Sequence, residues 1–250
     1  MVYFLIPTYN DANNAQNLIH IIHTYSQKTS LSYRIYFLND ASIDNIEEII
    51  TEIKKTIPHV QLLNFSEHRG PGAVVLDGIK HIQPLLKEDD ILIIREADSG
   101  NNDLRTLKLM LHKMEMGYDI ISASVCTEGG RIIGISFLRL LLTYACNMIY
   151  RILFHVKGIK DYTIFYRGYS HNAIQTMIHT FGDDLIESKG FAFSAELLIK
   201  ARKLDLLFGA VPLILRLNLA QKTSSMNISK TIKEHANLIR KSLWIKLDKS

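Results

Sequence analysis

The chain has 250 residues, 47% of them hydrophobic and 22% charged, so it can enclose one sizeable core and is neither disordered nor fibrous in composition. Its formal net charge of +4 is too mild to argue for a nucleic-acid partner, but it suits a protein that handles small anions or lies beside anionic lipid. The two cysteines, Cys126 and Cys146, lack metal-ligand spacing and exclude a disulfide-dense scaffold, which points to a reducing interior.

The opening Met1-Val2-Tyr3-Phe4-Leu5 is too short an apolar run for a signal peptide and fits a first strand over Val2–Ile6. Four further runs rich in branched residues read as strands buried in a parallel sheet: Ile35–Leu38, Val60–Leu63, Ile91–Ile94 and Ile120–Ile121. Between them the periodicity predicts helices over Asn14–Ser26, Asp44–Thr56, Gly72–Leu86 and Asp103–Met116. Alternation of this kind implies βαβ units with right-handed crossovers, hence an open, mostly parallel, twisted α/β sheet with helices on both faces. Asp44 is expected to cap the helix that follows it, with Glu47 and Glu48 in the first turn.

In such sheets ligands sit at the carboxyl ends of the strands. Polar clusters fall there: Pro7-Thr8-Tyr9-Asn10-Asp11, Asn39-Asp40-Ala41-Ser42 and Glu96-Ala97-Asp98. Glu96 and Asp98, two positions apart at a strand end, can grip one hard cation, Mg²⁺ or Mn²⁺, whose remaining ligands would be diphosphate oxygens.

Further on, Gly129-Gly130-Arg131 leads into the apolar run Ile132–Phe154, interrupted by Arg139, Asn147 and Arg151. Buried arginines are costly in a bilayer, so this run is expected as one or two helices on the protein or on a membrane surface, without a spanning helix. Arg131, Arg139 and Arg151 could meet an acidic headgroup, the guanidinium fork matching phosphate. A helix is expected over Phe191–Ala201, carrying Glu196 as a buried structural carboxylate or a distal site residue. Val211–Leu217 reads as a strand, and Asn227–Leu247 as a basic amphipathic helix for a membrane surface, a partner or plain solvent.

Six motifs in order, namely Pro7–Asp11, Leu38–Asp44, His68-Arg69-Gly70-Pro71-Gly72-Ala73, Glu96-Ala97-Asp98, Asp161-Tyr162-Thr163 and Gly190–Phe193, resemble the inverting family 2 glycosyltransferases of the GT-A fold. The similarity is greatest to the branch that glycosylates dolichol phosphate or polyprenyl phosphate. It runs from Val2 to about Arg216. The resemblance implies that Pro7, Tyr9, Asp11, Asp40 and Gly72 border the nucleotide of a nucleotide diphosphate sugar, with Tyr9 stacking on the base. It also implies metal ligation by Glu96 and Asp98, an acceptor site near Asp161, and an acceptor-phosphate contact from Arg216 beside Arg131 and Arg139. A hydroxyl acceptor would need a base, for which Asp161 or Asp98 is nearest, whereas a polyprenyl phosphate would not.

The chain departs from the family at Glu96 in place of Asp, Asn39 in place of the first of two acids, Gly100 in place of a polar residue, Val125 in place of Arg, and Ser224-Ser225 in place of Ser-Lys. These departures keep two alternatives open: a saccharide or small-molecule hydroxyl acceptor, and a non-catalytic nucleotide-binding protein on the same fold. Residues 1–225 are expected to form the GT-A domain, with a nucleotide-sugar half about 1–125 and an acceptor half about 126–225, followed by the basic helix over 226–250. The expected location is cytoplasmic, or peripheral to the inner face of the membrane.

Overall fold

The computed structural model describes residues 1–97, 104–219 and 228–247. The first half follows the predicted alternation: β1 (Val2–Thr8), α1 (Ala12–Thr29), β2 (Tyr33–Asn39), α2 (Ile46–Lys54), β3 (Val60–Asn64), α3 (Pro71–Ile82), β4 (Ile91–Ile94), α4 (Leu104–Glu115) and β5 (Ile120–Ser124). The second half runs β6 (Arg131–Ile133), α5 (Phe137–Phe154), β7 (Arg167–Ser170), α6 (His171–Phe181), α7 (Phe193–Ala201), β8 (Phe208–Pro212), β9 (Ile214–Arg216) and α8 (Ile228–Leu247).

Seven strands form one sheet in the order β3-β2-β1-β4-β7-β5-β8, and β6 pairs with β9 in a separate parallel ribbon. Only β7 runs antiparallel in the main sheet, against both β4 and β5. Two successive reversals leave β4 and β5 parallel to each other, so the carboxyl ends of β1, β2, β4, β5 and β8 share one edge.

Alternation along β1 makes the two cores. Val2, Phe4 and Ile6 point to α1, α2 and α4, where Leu18, Ile50 and Met110 are buried. Tyr3 and Leu5 point to the other side, against Val74 and Ile79 of α3 and Leu197 of α7. Both faces are covered, as a parallel sheet requires.

Several expectations change in the folded chain. Val211–Leu217 is not one strand: at Leu213 it leaves the main sheet, the Leu213 N–H donating to the Ser124 carbonyl while its own carbonyl accepts from Arg131 N–H. Ile132–Phe154 divides into β6 and α5, and α5 is, among the described residues, a helix long and apolar enough to cross a membrane by length and composition. Asp44 makes no cap for α2; its Oδ2 accepts the Ala12 N–H at 2.9 Å and so serves the start of α1. Two elements lie outside the expected set: β7, whose Arg-Gly-Tyr-Ser carries no apolar alternation, and α6, whose Ile174, Met177 and Phe181 are spaced as one helical face.

The C-terminal helix α8 turns its apolar side to the protein. Leu238 is buried, Ile239 and Leu243 pack on the same core, and His235 Nδ1 lies 2.7 Å from the Tyr150 hydroxyl of α5. Burial pulls the His235 imidazole down to about 4. A folded value below the unfolded one means that this contribution is fully present above about pH 6.5 and is lost as pH falls through about 4. Urea unfolding between pH 7 and 4 should therefore show a loss of up to about 3 kcal/mol that the His235→Phe variant lacks. Equal pH slopes for the two proteins would refute a buried neutral His235.

Candidate active site

The loops after β1 and β2 are laced together. The Asn10 N–H donates to Ser42 Oγ at 2.9 Å, Asn10 Oδ1 accepts the Ile43 N–H at 2.7 Å, and Asn39 Oδ1 accepts the Ser42 N–H at 3.0 Å. Asn10 and Ala41 both take left-handed backbone conformations, with φ of +51° and +56°, to make these turns. Asn is among the residues that tolerate this region, whereas Ala41 adopts it at a cost, a sign that the loop contacts dictate its shape. Pro7 lies past Leu5, the last β1 residue paired with β4, so its missing N–H breaks no ladder on that side.

Asp40, buried at the end of β2, reaches across to the loop before α3. Its Oδ1 accepts the Arg69 N–H at 2.7 Å and its Oδ2 accepts the Gly70 N–H at 2.8 Å. His68 Nδ1 stands 3.0 Å from the same Oδ2, and the His68 ring meets Tyr9 with centroids 4.2 Å apart. Tyr9 and His68 are both exposed, so together they offer a ring surface at the sheet edge. Asp11 is half-buried, and its Oδ1 accepts from Asn14 Nδ2 at 2.8 Å. Nothing local to either residue signals His68 beside Tyr9; the bonds from Asp40 to the residues after His68 bring it there.

Gly72 is buried, and its N–H donates to the Lys189 carbonyl at 2.8 Å. A Cβ on Gly72 would stand 1.9 Å from the Ser188 carbonyl oxygen, so this approach of backbone to backbone requires the glycine by itself. The 187–189 segment is held in turn by Glu196, buried on α7, which accepts the Glu187 and Ser188 N–H groups at 3.1 and 2.8 Å and pairs with Lys200 at 2.6 Å. Glu196 is thus the structural carboxylate of the two expected roles.

Glu96 follows β4, half-buried, while the Arg95 guanidinium turns inward over the Tyr166 ring at 4.6 Å. Asp98, Gly100, Ser224 and Ser225 lie outside the described residues. Among the described residues no three His, Cys, Asp or Glu side chains converge on a point. The Glu96 carboxylate is a hard oxygen donor at the strand end, the kind that Mg²⁺ or Mn²⁺ takes together with substrate oxygens.

Asp161 is fully buried, and both its oxygens are occupied. Oδ1 accepts from the Thr163 N–H and hydroxyl, each at 3.1 Å, and from the Ile164 N–H at 3.3 Å, while Oδ2 accepts the Val125 N–H at 3.3 Å. It organises the loop before β7 and presents no oxygen to solvent, which departs from the expected role as a base. Arg167, also fully buried, donates to Ser122 Oγ at 3.2 Å and to the Tyr162 and Ser194 carbonyls. Val125 is core, on the side of α4.

The β6–β9 ribbon joins two of the predicted arginines. Arg131 pairs with Ile214 and Arg216 with Ile133, which sets Arg131 and Arg216 on the same face, diagonally opposed on adjacent strands two positions apart, or roughly 8 Å. Ile132 and Leu215 pack inward, so both arginines face out and are exposed. The ribbon leaves the main sheet at the shared carboxyl edge, through β5 and β8. Arg139 lies in the first turn of α5, linked to the ribbon through Gly134, whose φ of +80° and close approach to Asn218 fix the turn.

This edge, with its laced loops, ring surface, strand-end carboxylate and paired arginines, can be set beside known proteins. Against CsbB of Bacillus subtilis, which carries a glycosyltransferase name, the chain is 27% identical over 143 residues, 57% of this chain and 40% of that protein. Against the dolichyl-phosphate beta-glucosyltransferase ALG5C of Trichomonas vaginalis it is 24% identical over 263 aligned positions, 99% of this chain and 74% of that protein. The chain thus spans less than half the length of CsbB. Among solved structures, glucosyl-3-phosphoglycerate synthase from Mycobacterium tuberculosis, in complex with Mn²⁺, UDP and glucosyl-3-phosphoglycerate, matches with a TM-score of 0.62 at 12% identity over 96% of this chain and 77% of that one. The mannosyltransferase PcManGT from Pyrobaculum calidifontis, in complex with GDP-Man and Mn²⁺, matches with a TM-score of 0.56 at 12% identity over 88% of this chain and 57% of that one. These two likenesses show the GT-A-like fold. The sequence pattern of Glycosyl transferase family 2 covers residues 3–175, and the chain belongs to that family.

Proposed function

We propose that the protein transfers a sugar, with inversion and with a divalent metal, from a nucleotide diphosphate sugar to a polyprenyl phosphate at the inner face of a membrane. The observation that carries this reading is the outward pair Arg131 and Arg216, at the same sheet edge as Tyr9, Asp40 and Glu96. Two guanidinium forks at this spacing suit a phosphate group. The likeness to a dolichyl-phosphate beta-glucosyltransferase along nearly the whole chain supports a lipid-phosphate acceptor.

Tyr9 and Asp11 would border the nucleobase, the ring stacking and the carboxylate accepting from base N–H groups. Asp40 would act chiefly by holding the His68–Gly70 backbone in place, since both its oxygens already accept hydrogen bonds. Mg²⁺ or Mn²⁺, held by Glu96 and Asp98, would supply positive charge to the leaving diphosphate. The acceptor phosphate is ionised at neutral pH and needs no general base, which fits the sealed position of Asp161.

Four variants test this assignment. Asp98→Ala should abolish transfer without changing the melting temperature, and excess EDTA should do the same to the parent; turnover that survives EDTA would remove the metal from the scheme. Arg131→Ala with Arg216→Ala should raise KM for a polyprenyl phosphate at least about tenfold, two charge-assisted contacts being lost, while calorimetry shows unchanged nucleotide diphosphate affinity. Tyr9→Ala should weaken that affinity by about 1 kcal/mol or more. Asp40→Ala should lower stability to urea by about 2–3 kcal/mol, because it leaves the Arg69 and Gly70 N–H groups without their acceptor; an unchanged midpoint would show that the clamp is dispensable.

A further inference from the structure

Of the sixteen large hydrophobic side chains exposed among the described residues, eight lie on α5. At about 100° per residue they fill one arc of roughly 160°, from Tyr144 round to Leu142. Phe137, Met148, Leu141 and Ile152 fill its Tyr144 half up to the centre, with Phe137 79% and Ile152 73% exposed. The opposite stripe ties the helix to the protein: Tyr150 and Phe154 are buried, and Asn147 Oδ1 accepts the Tyr162 N–H at 2.6 Å.

Charge states what this arc fits. From Gly129 to Lys160 the sequence has no Asp or Glu, but it has Arg131, Arg139, Arg151, Lys157 and Lys160. On the helix, exposed Arg151 falls about 20° beyond Tyr144 and so borders one side of the apolar arc, while Arg139 lies on the far side, past Leu153 and Cys146 that pack on the core. An apolar face bordered by Arg151, with exposed Lys157 and Lys160 just past the helix end, matches an anionic leaflet, where greasy side chains enter the acyl boundary and the cationic groups meet lipid phosphates. A second copy of the chain would instead bring these cations against their own equivalents in an isologous contact. Spanning the bilayer would require α5 to abandon the buried Asn147, Tyr150 and Phe154 stripe.

We propose that α5 lies flat in the headgroup zone of an anionic membrane, with the Phe137–Ile152 arc inserted, and that α5 rather than the more basic α8 is the docking element. Leu238, Ile239 and Leu243 of α8 already pack on the protein, leaving Ile232 as its one exposed large hydrophobic among the described side chains. Docking goes beyond the acceptor reading, since it requires no polyprenyl phosphate in the membrane.

The test is co-sedimentation of the full chain with phosphatidylglycerol–phosphatidylcholine vesicles free of polyprenyl phosphate. Binding should be present at low salt and should fall as salt rises, surface charges being screened within about 8 Å at physiological ionic strength. Phe137→Glu with Leu141→Glu and Ile152→Glu should cut partitioning at least about tenfold, replacing inserted side chains with charges repelled by the leaflet. The melting temperature and nucleotide diphosphate affinity should stay as in the parent, the three positions being exposed. Lys233→Glu with Arg240→Glu on α8 should cost less than about threefold, because α8 packs against Tyr150 on the stripe of α5 opposite the inserted arc and its charges stand away from the leaflet. Parent protein that ignores the vesicles at low salt, a triple variant that binds like the parent, or a larger loss from the α8 pair overturns the proposal. So does light scattering that shows a dimer abolished by the triple variant without vesicle binding. Vesicle binding that persists while added polyprenyl phosphate goes unglycosylated would support docking and reject the acceptor reading, so the two fail separately.

Discussion

The buried Asp40 carboxylate is the constraint from which the rest of the site hangs. A carboxylate removed from water is costly unless its oxygens are satisfied, and here two backbone N–H groups and the His68 ring satisfy them. The requirement acts at a distance of about thirty residues, drawing the loop before α3 against the end of β2. Once that loop is drawn in, His68 meets Tyr9 and Gly70 and Gly72 meet the backbone of Ser188 and Lys189.

From there the constraint passes to the second half of the chain. Glu196 and Lys200 on α7 hold the 187–189 segment from behind, and Lys200 keeps the Glu187 carboxyl below its usual range by hydrogen bonding to it. Lys241 of α8 approaches Glu187 at 3.7 Å, so the C-terminal helix leans on the same segment. The first and second halves of the chain are therefore joined through backbone groups and two buried carboxylates. Asp161 does for the loop before β7 what Asp40 does for the loop before α3, with Val125 N–H as the link to β5. Burial with nearby Asp161 also pushes the Cys126 and Cys146 thiols up, to about 12 and about 11, so both stay protonated and unreactive near neutral pH.

The antiparallel β7 gives the second half of the chain its position at the site edge. Inserted between β4 and β5, it begins at the edge where they end, with Arg167 level with Ile94 and Ser122. The Asp161–Thr163 loop, the departure of β6 and the arrival of β9 consequently gather at the edge already occupied by Asp40 and Glu96. A sheet continued only by crossovers would have carried the entrance to that strand to the opposite edge.

The sequence by itself determined the alternating strands and helices of the first half, the polar clusters at strand ends and the family resemblance. Each of these is local: a run of branched residues reports burial, and a polar cluster after it reports a loop. Tertiary structure alone decided which partner each polar residue serves. Asp44 caps α1 rather than α2 and Asp161 seals a loop, because a carboxylate takes whichever donors the fold brings near, wherever they lie in the chain. It also decided the direction of β7, the break at Leu213 and the choice between two amphipathic helices. Periodicity reveals that a helix has an apolar side; only packing shows that α8 spends this side on the protein and α5 leaves it outward.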